Sequence, residues 1–290
     1  MPHAISLSRL SARWRRLLLR ALGRVAVALI LLYSLLPILW VVAISLRDPV
    51  RTMTIPPEIL VRPTFRYYTD LFAGVWGDFT AYYTNTLIVC GLAVLLSLVV
   101  GMPAAFGLSR GMVHRRWVNV FLGTMTIIYA IPSISLAIPF YDIFTSLGLF
   151  DSKTALVLSY QSRVLPFVVW MMKTFFDEIP RELDDAAMVD GLTRLQVACR
   201  IVLPLSVPGA FATAIFCLIL VWNDLPLALV LTSTPQAQTL TVGILSFVQE
   251  NVTLWNPMSV AAVVALVPIV LFVLLIQRRL VYGFGSGLKG

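Results

Sequence analysis

The chain has 290 residues, of which 59% are hydrophobic and only 12% charged, with a net charge of +8 and a mean hydropathy of +0.89. A soluble globular chain carries roughly 25% charged residues, so this composition excludes a water-solvated fold and makes lipid the solvent. Its 17 prolines and 16 glycines are spread through apolar runs, as in membrane helices, and its three cysteines (Cys90, Cys199 and Cys217) lack a metal-ligand spacing and read as small packing residues.

A bilayer core of ~30 Å needs ~20 mainly apolar helical residues per crossing. Six stretches meet this, at about 22–46, 85–108, 117–140, 154–176, 205–231 and 259–277. They are too long for barrel strands and lack period-two alternation. The predicted fold class is therefore an all-α membrane protein with six transmembrane helices. The first run is too long for a secretory signal and contains Tyr33, Pro37 and Trp40, with no small-residue cleavage site, so it reads as a retained span. The stretch 46–84 is rich in Pro, Tyr and Trp and suits a structured external loop.

Charge assigns the sides. Sixteen Lys and Arg residues flank one set of ends: six between Arg9 and Arg24, then Arg110, Arg115, Arg116, Lys173, Arg181, Arg194, Arg200, Arg278, Arg279 and Lys289. The other side holds five, namely Arg47, Arg51, Arg62, Arg66 and Lys153. The positive-inside rule then predicts both termini in the cytoplasm. The +8 charge is a topology and anionic-lipid signal, and no nucleic-acid partner is expected.

Between the fourth and fifth spans lies a polar island, residues 177–204. Pro180 suits the first turn of a helix. Glu182, Asp184 and Asp185 set negative charge near its N-terminus, with Arg194 and Arg200 later, which complements the macrodipole. Asp190-Gly191 signals a turn, and Thr193 with Gln196 reads as a capping box opening a second helix. The product is a helix-turn-helix, with Ala186, Ala187, Met188, Leu192 and Leu195 available to a partner. Local pattern alone leaves two readings open, a docking element or an amphipathic helix on the inner leaflet.

Ionisable groups at membrane depth cost ~2.5–3.5 kcal/mol on insertion scales and usually face a cavity. Gln161, Ser162 and Arg163 fall within the fourth stretch ahead of Pro166. Asn223 and Asp224 lie towards the outer end of the fifth, ahead of Pro226. Pro132, Ser133 and Ser135 interrupt the third. Interrupted helices carrying polar side chains commonly line transport sites, so Gln161, Arg163, Asn223 and Asp224 are substrate-pathway candidates. The competing structural role is an Arg163–Asp224 pair with Asn223 capping a helix break.

No catalytic triad or metal cluster is apparent. The three lysines (Lys153, Lys173 and Lys289) are not preceded by Gly, so a phosphate-cradling Gly-Lys-Ser/Thr loop is absent. A metal-diphosphate transferase site built on Asp184, Asp185 and Asp190 fails on spacing.

The series Glu182-Leu183, Ala186-Ala187, Asp190-Gly191, Leu203-Pro204 and Pro208-Gly209 resembles the docking loop (the EAA loop) of ATP-binding-cassette importer permeases. Asn85-Thr86, Ile131-Pro132, Gly148-Leu149, Leu165-Pro166 with Trp170, Trp222-Asn223-Asp224 and the glycine-rich end extend the match over ~200 residues, to the shorter of two paired permeases of the maltose-type carbohydrate-uptake family. Asp185 stands where the family usually has Glu, and Leu192 replaces a commoner small residue.

The resemblance implies a type I importer permease in a bacterial inner membrane. It implies a single permease domain over 1–290 with its core at about 81–280, an ATPase-docking loop over 177–204 and a tail over 283–290. The docking residues would be Glu182, Asp184, Asp185, Ala186, Ala187, Asp190, Gly191 and Leu195. Gly287, Leu288, Lys289 and Gly290 would reach the ATPase. Expected partners are a second related permease, two ATPase subunits that hold ATP and Mg, an extracytoplasmic solute-binding protein, the bilayer and a di- or oligosaccharide. Glycerol phosphate or its diesters are the alternative solute, with Arg163 as phosphate ligand. No cofactor is expected in this chain.

Overall fold

The computed structural model describes residues 5–48, 62–250 and 252–285. These residues divide into two compact units, one within Met1–Tyr68 and Trp255–Val263, the other within Thr69–Leu254 and Val264–Gly290. Five helices are long and apolar enough to cross a membrane, and a sixth crossing is made if one sharply bent helix pair counts as a span. Strands are not found among the described residues, only an isolated bridge between Val248 and Thr253.

In the first unit, α1 (Ile5–Ser45) is one continuous helix that carries the basic N-terminal segment and the first span together. Its end is held by side chains. Asn256, in the first turn of α11 (Trp255–Gly285), donates its Nδ2 to the carbonyls of Ile44 (3.1 Å) and Arg47 (2.9 Å). Ser45 Oγ meets the Tyr68 hydroxyl at 2.9 Å, and the Arg47 guanidinium lies 4.9 Å from the Trp40 ring centroid. Carbonyls at a helix end lack intrahelical partners, and here they find them in Asn256.

The chain passes from the first unit into the second along α2 (Arg66–Phe72), and the second unit continues with α3 (Phe79–Ser109), α4 (Arg115–Ala130), α5 (Ser133–Ser146) and α6 (Lys153–Asp177). Then come α7 (Glu182–Val189), α8 (Arg194–Trp222), α9 (Pro226–Leu231) and α10 (Leu240–Leu245). The organiser is α6, which packs against α3, α4 and α8 and buries Val164, Val168, Met172 and Phe176. Without a hydrophobic drive between helices in lipid, close packing must hold them together, and small residues permit it. A Cβ on Gly101 of α3 would stand 2.7 Å from Val168, and one on Gly209 of α8 would stand 2.5 Å from the Phe175 ring.

The structure corrects several expectations. The third stretch is no straight span, because α4 and α5 meet at a bend of 94° around Ile131 and Pro132. A residue before proline is driven out of the helical region, and Ile131 is extended (φ −67°, ψ 124°). The fifth stretch is likewise broken, between Trp222 and Pro226. The second begins six residues early, at Phe79, where Asp78 Oδ1 accepts the Ala81 N–H at 3.0 Å, so Asn85-Thr86 lies inside the helix rather than opening it. The last helix runs on to Gly285, making Gly283 and Gly285 helical despite their low propensity. The expected tail residues Gly287, Leu288, Lys289 and Gly290 lie outside the described residues.

Gly209→Ala is expected to cost about 1–3 kcal/mol through overpacking against Phe175 and to lower the thermal midpoint of the purified protein in detergent. Gly91, whose Cβ would meet nothing within 4 Å, provides the contrast. Gly91→Ala should leave the midpoint unchanged or raise it slightly.

Candidate functional site

The loop between α6 and α8 is a helix-turn-helix, and its local grammar explains its shape. α7 starts at Glu182 with Glu182, Asp184 and Asp185 in its first turn, where carboxylates offset the unpaired N–H groups. Pro180 precedes the helix instead of entering it, since Arg181 occupies the N-cap. The helix ends at Asp190. Gly191 follows with φ +89°, a left-handed conformation that L side chains rarely adopt. Thr193 and Gln196 form the predicted capping box, with the Thr193 N–H donating to Gln196 Oε1 at 2.8 Å and the Gln196 N–H to Thr193 Oγ1 at 3.4 Å.

The helix α8 that follows carries a π-helical segment, Ala198–Val202, that ends one residue before Leu203-Pro204 turns the helix back to α. Proline cannot donate to the carbonyl four residues back and clashes with it. The widened turn relieves that conflict without ending the helix.

The loop is tied to the bundle by an ionic joint that sequence reading missed. The Arg110 Nε lies 2.6 Å from Asp184 Oδ2, with both side chains nearly buried. Arg110 Nη1 also donates to the carbonyls of Phe176 (3.0 Å) and Ile179 (3.2 Å). Ser109 Oγ donates to Asp177 Oδ1 at 2.6 Å, Lys173 Nζ reaches Asp177 Oδ2 at 2.5 Å, and Arg181 Nη2 donates to the Ser109 carbonyl at 2.8 Å. By local pattern Arg110 reads only as an orientation charge, because nothing local pairs it with a residue 74 positions away.

Helical rotation separates the candidates that are adjacent in sequence. Asp184 and Ala187 turn inward and are buried. Glu182, Asp185, Ala186, Asp190, Gly191 and Leu195 are exposed. Val189, absent from the expected set, is 88% exposed, and Leu195 is 73% exposed. Together with exposed Leu183 and Met188 they form an acidic-apolar surface of the kind that marks interaction sites.

The four substrate-pathway candidates separate too. Arg163 Nη1 reaches Ser133 Oγ (3.2 Å) and Asp224 Oδ2 (3.4 Å), joining the α5 start, the middle of α6 and the break before α9. Asp224 Oδ1 also accepts the Leu227 N–H at 3.1 Å, which satisfies the broken backbone. Asp224 is almost sealed (2% side-chain exposure), while Arg163 keeps 26%. Gln161 is fully engaged elsewhere, accepting from Ser97 Oγ (2.6 Å) and donating to the Ala93 (3.2 Å) and Val157 (2.9 Å) carbonyls. Asn223 is exposed, with its amide turned back to the Ile219 carbonyl at 2.8 Å. Arg163 and Asp224 form one cluster, and Gln161 and Asn223 stand apart from it.

At the opposite end from the helix-turn-helix, polar side chains lace the connections. Asn85 Nδ2 donates to the Pro235 (2.8 Å) and Gln238 (2.9 Å) carbonyls, and Thr86 Oγ1 accepts the Leu240 N–H at 2.7 Å. Asp151, at φ +56°, receives the Ser233 N–H (2.8 Å), the Thr234 N–H (3.0 Å) and the Thr234 hydroxyl (2.6 Å). Partial burial pushes its carboxyl up. The hydrogen bonds from the Ser233 backbone, the Thr234 hydroxyl and the Thr234 backbone together outweigh it and hold the group below the usual carboxylate range.

A group with a depressed folded pKa stabilises the fold above its unfolded pKa and loses that contribution as pH falls through the folded value. The protection factors of the Ser233 and Thr234 amides, taken against the intrinsic exchange rate at each pH, should therefore be high at neutral pH and fall only at acid pH, below the ordinary Asp range. Asp151→Ala should lower them throughout.

A family model described as binding-protein-dependent transport system inner membrane component matches residues 97–284. The trehalose transport system permease protein SugB of Mycobacterium tuberculosis is 35% identical over 257 residues, covering 88% of this chain and 92% of SugB. The trehalose/maltose transport system permease protein MalG of Thermococcus litoralis is 30% identical over 280 residues, covering 95% of this chain and 98% of MalG. Among solved structures, a bacterial ABC transporter involved in importing the acidic polysaccharide alginate aligns with a TM-score of 0.75 at 21% identity, covering 90% of this chain and 96% of that one, which shows a shared fold. With the bent third span, the broken fifth span and the helix-turn-helix all inside the matched region, the chain belongs to the family of binding-protein-dependent transport system inner membrane components, multi-pass membrane permeases of ABC transporters.

Proposed function

We propose that this chain is the shorter of two paired permeases in an ATP-driven importer of di- or oligosaccharides. The observation that carries the reading is the family match over 97–284, which encloses the whole docking loop. The sugar class is supported by the trehalose and trehalose/maltose permeases that it resembles. Two ATPase subunits hold ATP and Mg, a second permease completes the translocation pathway, and an external binding protein delivers the solute. Both termini and residues 177–204 face the cytoplasm, in keeping with the basic-residue distribution.

The exposed face of α7, with Asp185, Ala186 and Val189, together with Leu195 in the first turn of α8, receives the ATPase. The Arg110–Asp184 joint passes its displacement to α3 and α6, so that closure of the ATPase dimer reorients the bundle and opens the pathway to the other side. Asp184 serves as the anchor of this lever and not as its contact surface. Arg163, held by Asp224 and Ser133, lies beside the pathway at the two helix breaks.

The reading is tested by reconstituting the complex with its partner subunits and measuring ATP hydrolysis and uptake. Trehalose or maltose delivered by the binding protein should stimulate both, and glycerol 3-phosphate should not. Stimulation by glycerol 3-phosphate alone would replace the sugar class. Val189→Asp and Leu195→Asp, both on exposed positions, should leave the chain inserted and stable but cut ATPase recovery with the complex at least about tenfold, the equivalent of ~1.4 kcal/mol. Arg110→Met leaves Asp184 buried without its partner, a change that costs ~3–5 kcal/mol where a buried ion pair is broken. It should uncouple hydrolysis from uptake while the ATPase still binds. Normal coupled transport in Arg110→Met would show that the joint transmits nothing.

A further inference from the structure

Just beside the ionic joint lies a cavity of about 670 Å³ between the end of α3, the start of α4 and the end of α6. Its polar wall is formed by His114, Arg115, Asn119, Lys173, Asp177 and Arg181. Three cations there face one carboxylate. Asp177 is already committed to Ser109 and Lys173, so it offsets Lys173 alone. Arg181 spends one nitrogen on the Ser109 carbonyl. Arg115 is exposed and makes no ion pair among the described residues. The cavity therefore carries an unbalanced positive charge at the end of the membrane spans.

A second cavity of about 690 Å³ lies along α3 and α4. Pro103, Ala104, Gly107, Trp117, Val120 and Phe121 line it, an almost wholly apolar wall running towards the middle of the spans. The two cavities share Leu108 and Val113 in their linings. Trp117 is 64% exposed at the level where basic wall gives way to apolar wall, the depth at which Trp side chains settle in bilayers.

We propose that this pair of cavities binds one anionic phospholipid of the leaflet on the docking-loop side. Its phosphate sits against Arg115, Lys173 and Arg181, and an acyl chain lies along Trp117, Val120 and Phe121. Basic pockets between transmembrane helices recognise such headgroups, and here charge and apolar surface are arranged in the order a phospholipid presents them. A seated headgroup neutralises the cations that surround Asp177 and braces the base of the loop from the side opposite Asp184. The site rests on the chain's embedding in the membrane and is independent of which solute is carried.

The test is native mass spectrometry of the assembled complex released from detergent, with phosphatidylglycerol and phosphatidylcholine offered in equal amounts. The wild-type complex should retain phosphatidylglycerol preferentially. Arg115→Gln should cut that preference about fivefold, the contribution of one basic residue near a lipid headgroup, with an unchanged thermal midpoint. Trp117→Ala should reduce retention of both lipids alike. Equal retention of the two lipids by the wild type, or an unchanged preference in Arg115→Gln, overturns the proposal. So does displacement of the lipid by millimolar inorganic phosphate, which would mark a free-anion site. Retention by the permease that vanishes when the ATPase subunits join would assign the face to subunit contact instead.

Discussion

The buried ion pair between Arg110 and Asp184 is the interaction on which the helix-turn-helix between α6 and α8 depends. A surface pair contributes little, because water screens it and two long side chains must be immobilised. This pair is nearly sealed, at 2.6 Å, and the guanidinium also donates to the Phe176 and Ile179 carbonyls at the end of α6. Carbonyls where a helix stops lack regular intrahelical partners, and the guanidinium adds a donor to each, at Phe176 beside the Ile179 N–H. One side chain at the C-cap of α3 thus ties the end of α6 to the start of α7. On the proposed reading, that makes the loop a rigid extension of two membrane helices and not a tethered peptide.

The same constraint, that buried polar groups need partners, governs the membrane interior. Lipid offers no hydrogen bonds, so a break in a spanning helix must be repaired from within the protein. The break at 223–225 is repaired by Asp224, which accepts the Leu227 N–H and pairs with Arg163. Arg163 in turn reaches Ser133 at the start of the helix that follows the other break. The two proline-associated interruptions are therefore coupled by one ion pair. This arrangement accounts for a charged residue in the fourth span without requiring a bound solute, while the exposure left to Arg163 keeps it open to one.

Helix packing follows from the same scarcity of driving force. Gly101 and Gly209 let α3 and α8 close on α6 at distances a Cβ would forbid, and Gln161 laces α6 to α3 through two hydrogen bonds. Gln161 reads from sequence as a pathway residue, since a polar residue at membrane depth invites that inference. Its contacts show a structural clasp between two helices. A linear pattern cannot distinguish these roles, because both require the same residue type at the same depth.

What the sequence by itself determined was whatever local chemistry controls. Hydropathy set the number of spans, and Thr193 with Gln196 and the Asp190-Gly191 turn set the helix-turn-helix, because capping and positive φ are decided within a few residues. An ordered series of short motifs identified the family. Only the tertiary structure decided which neighbours in sequence became opposites in space. Asp184 faces inward and Asp185 outward, although the two differ by a single position, because one meets Arg110 from a helix 74 residues away and the other meets nothing comparable. The 94° bend at Ile131-Pro132 was likewise outside local reach. Proline marks a probable break, but the angle is set by what α5 packs against, namely α9 on the far side of the second break.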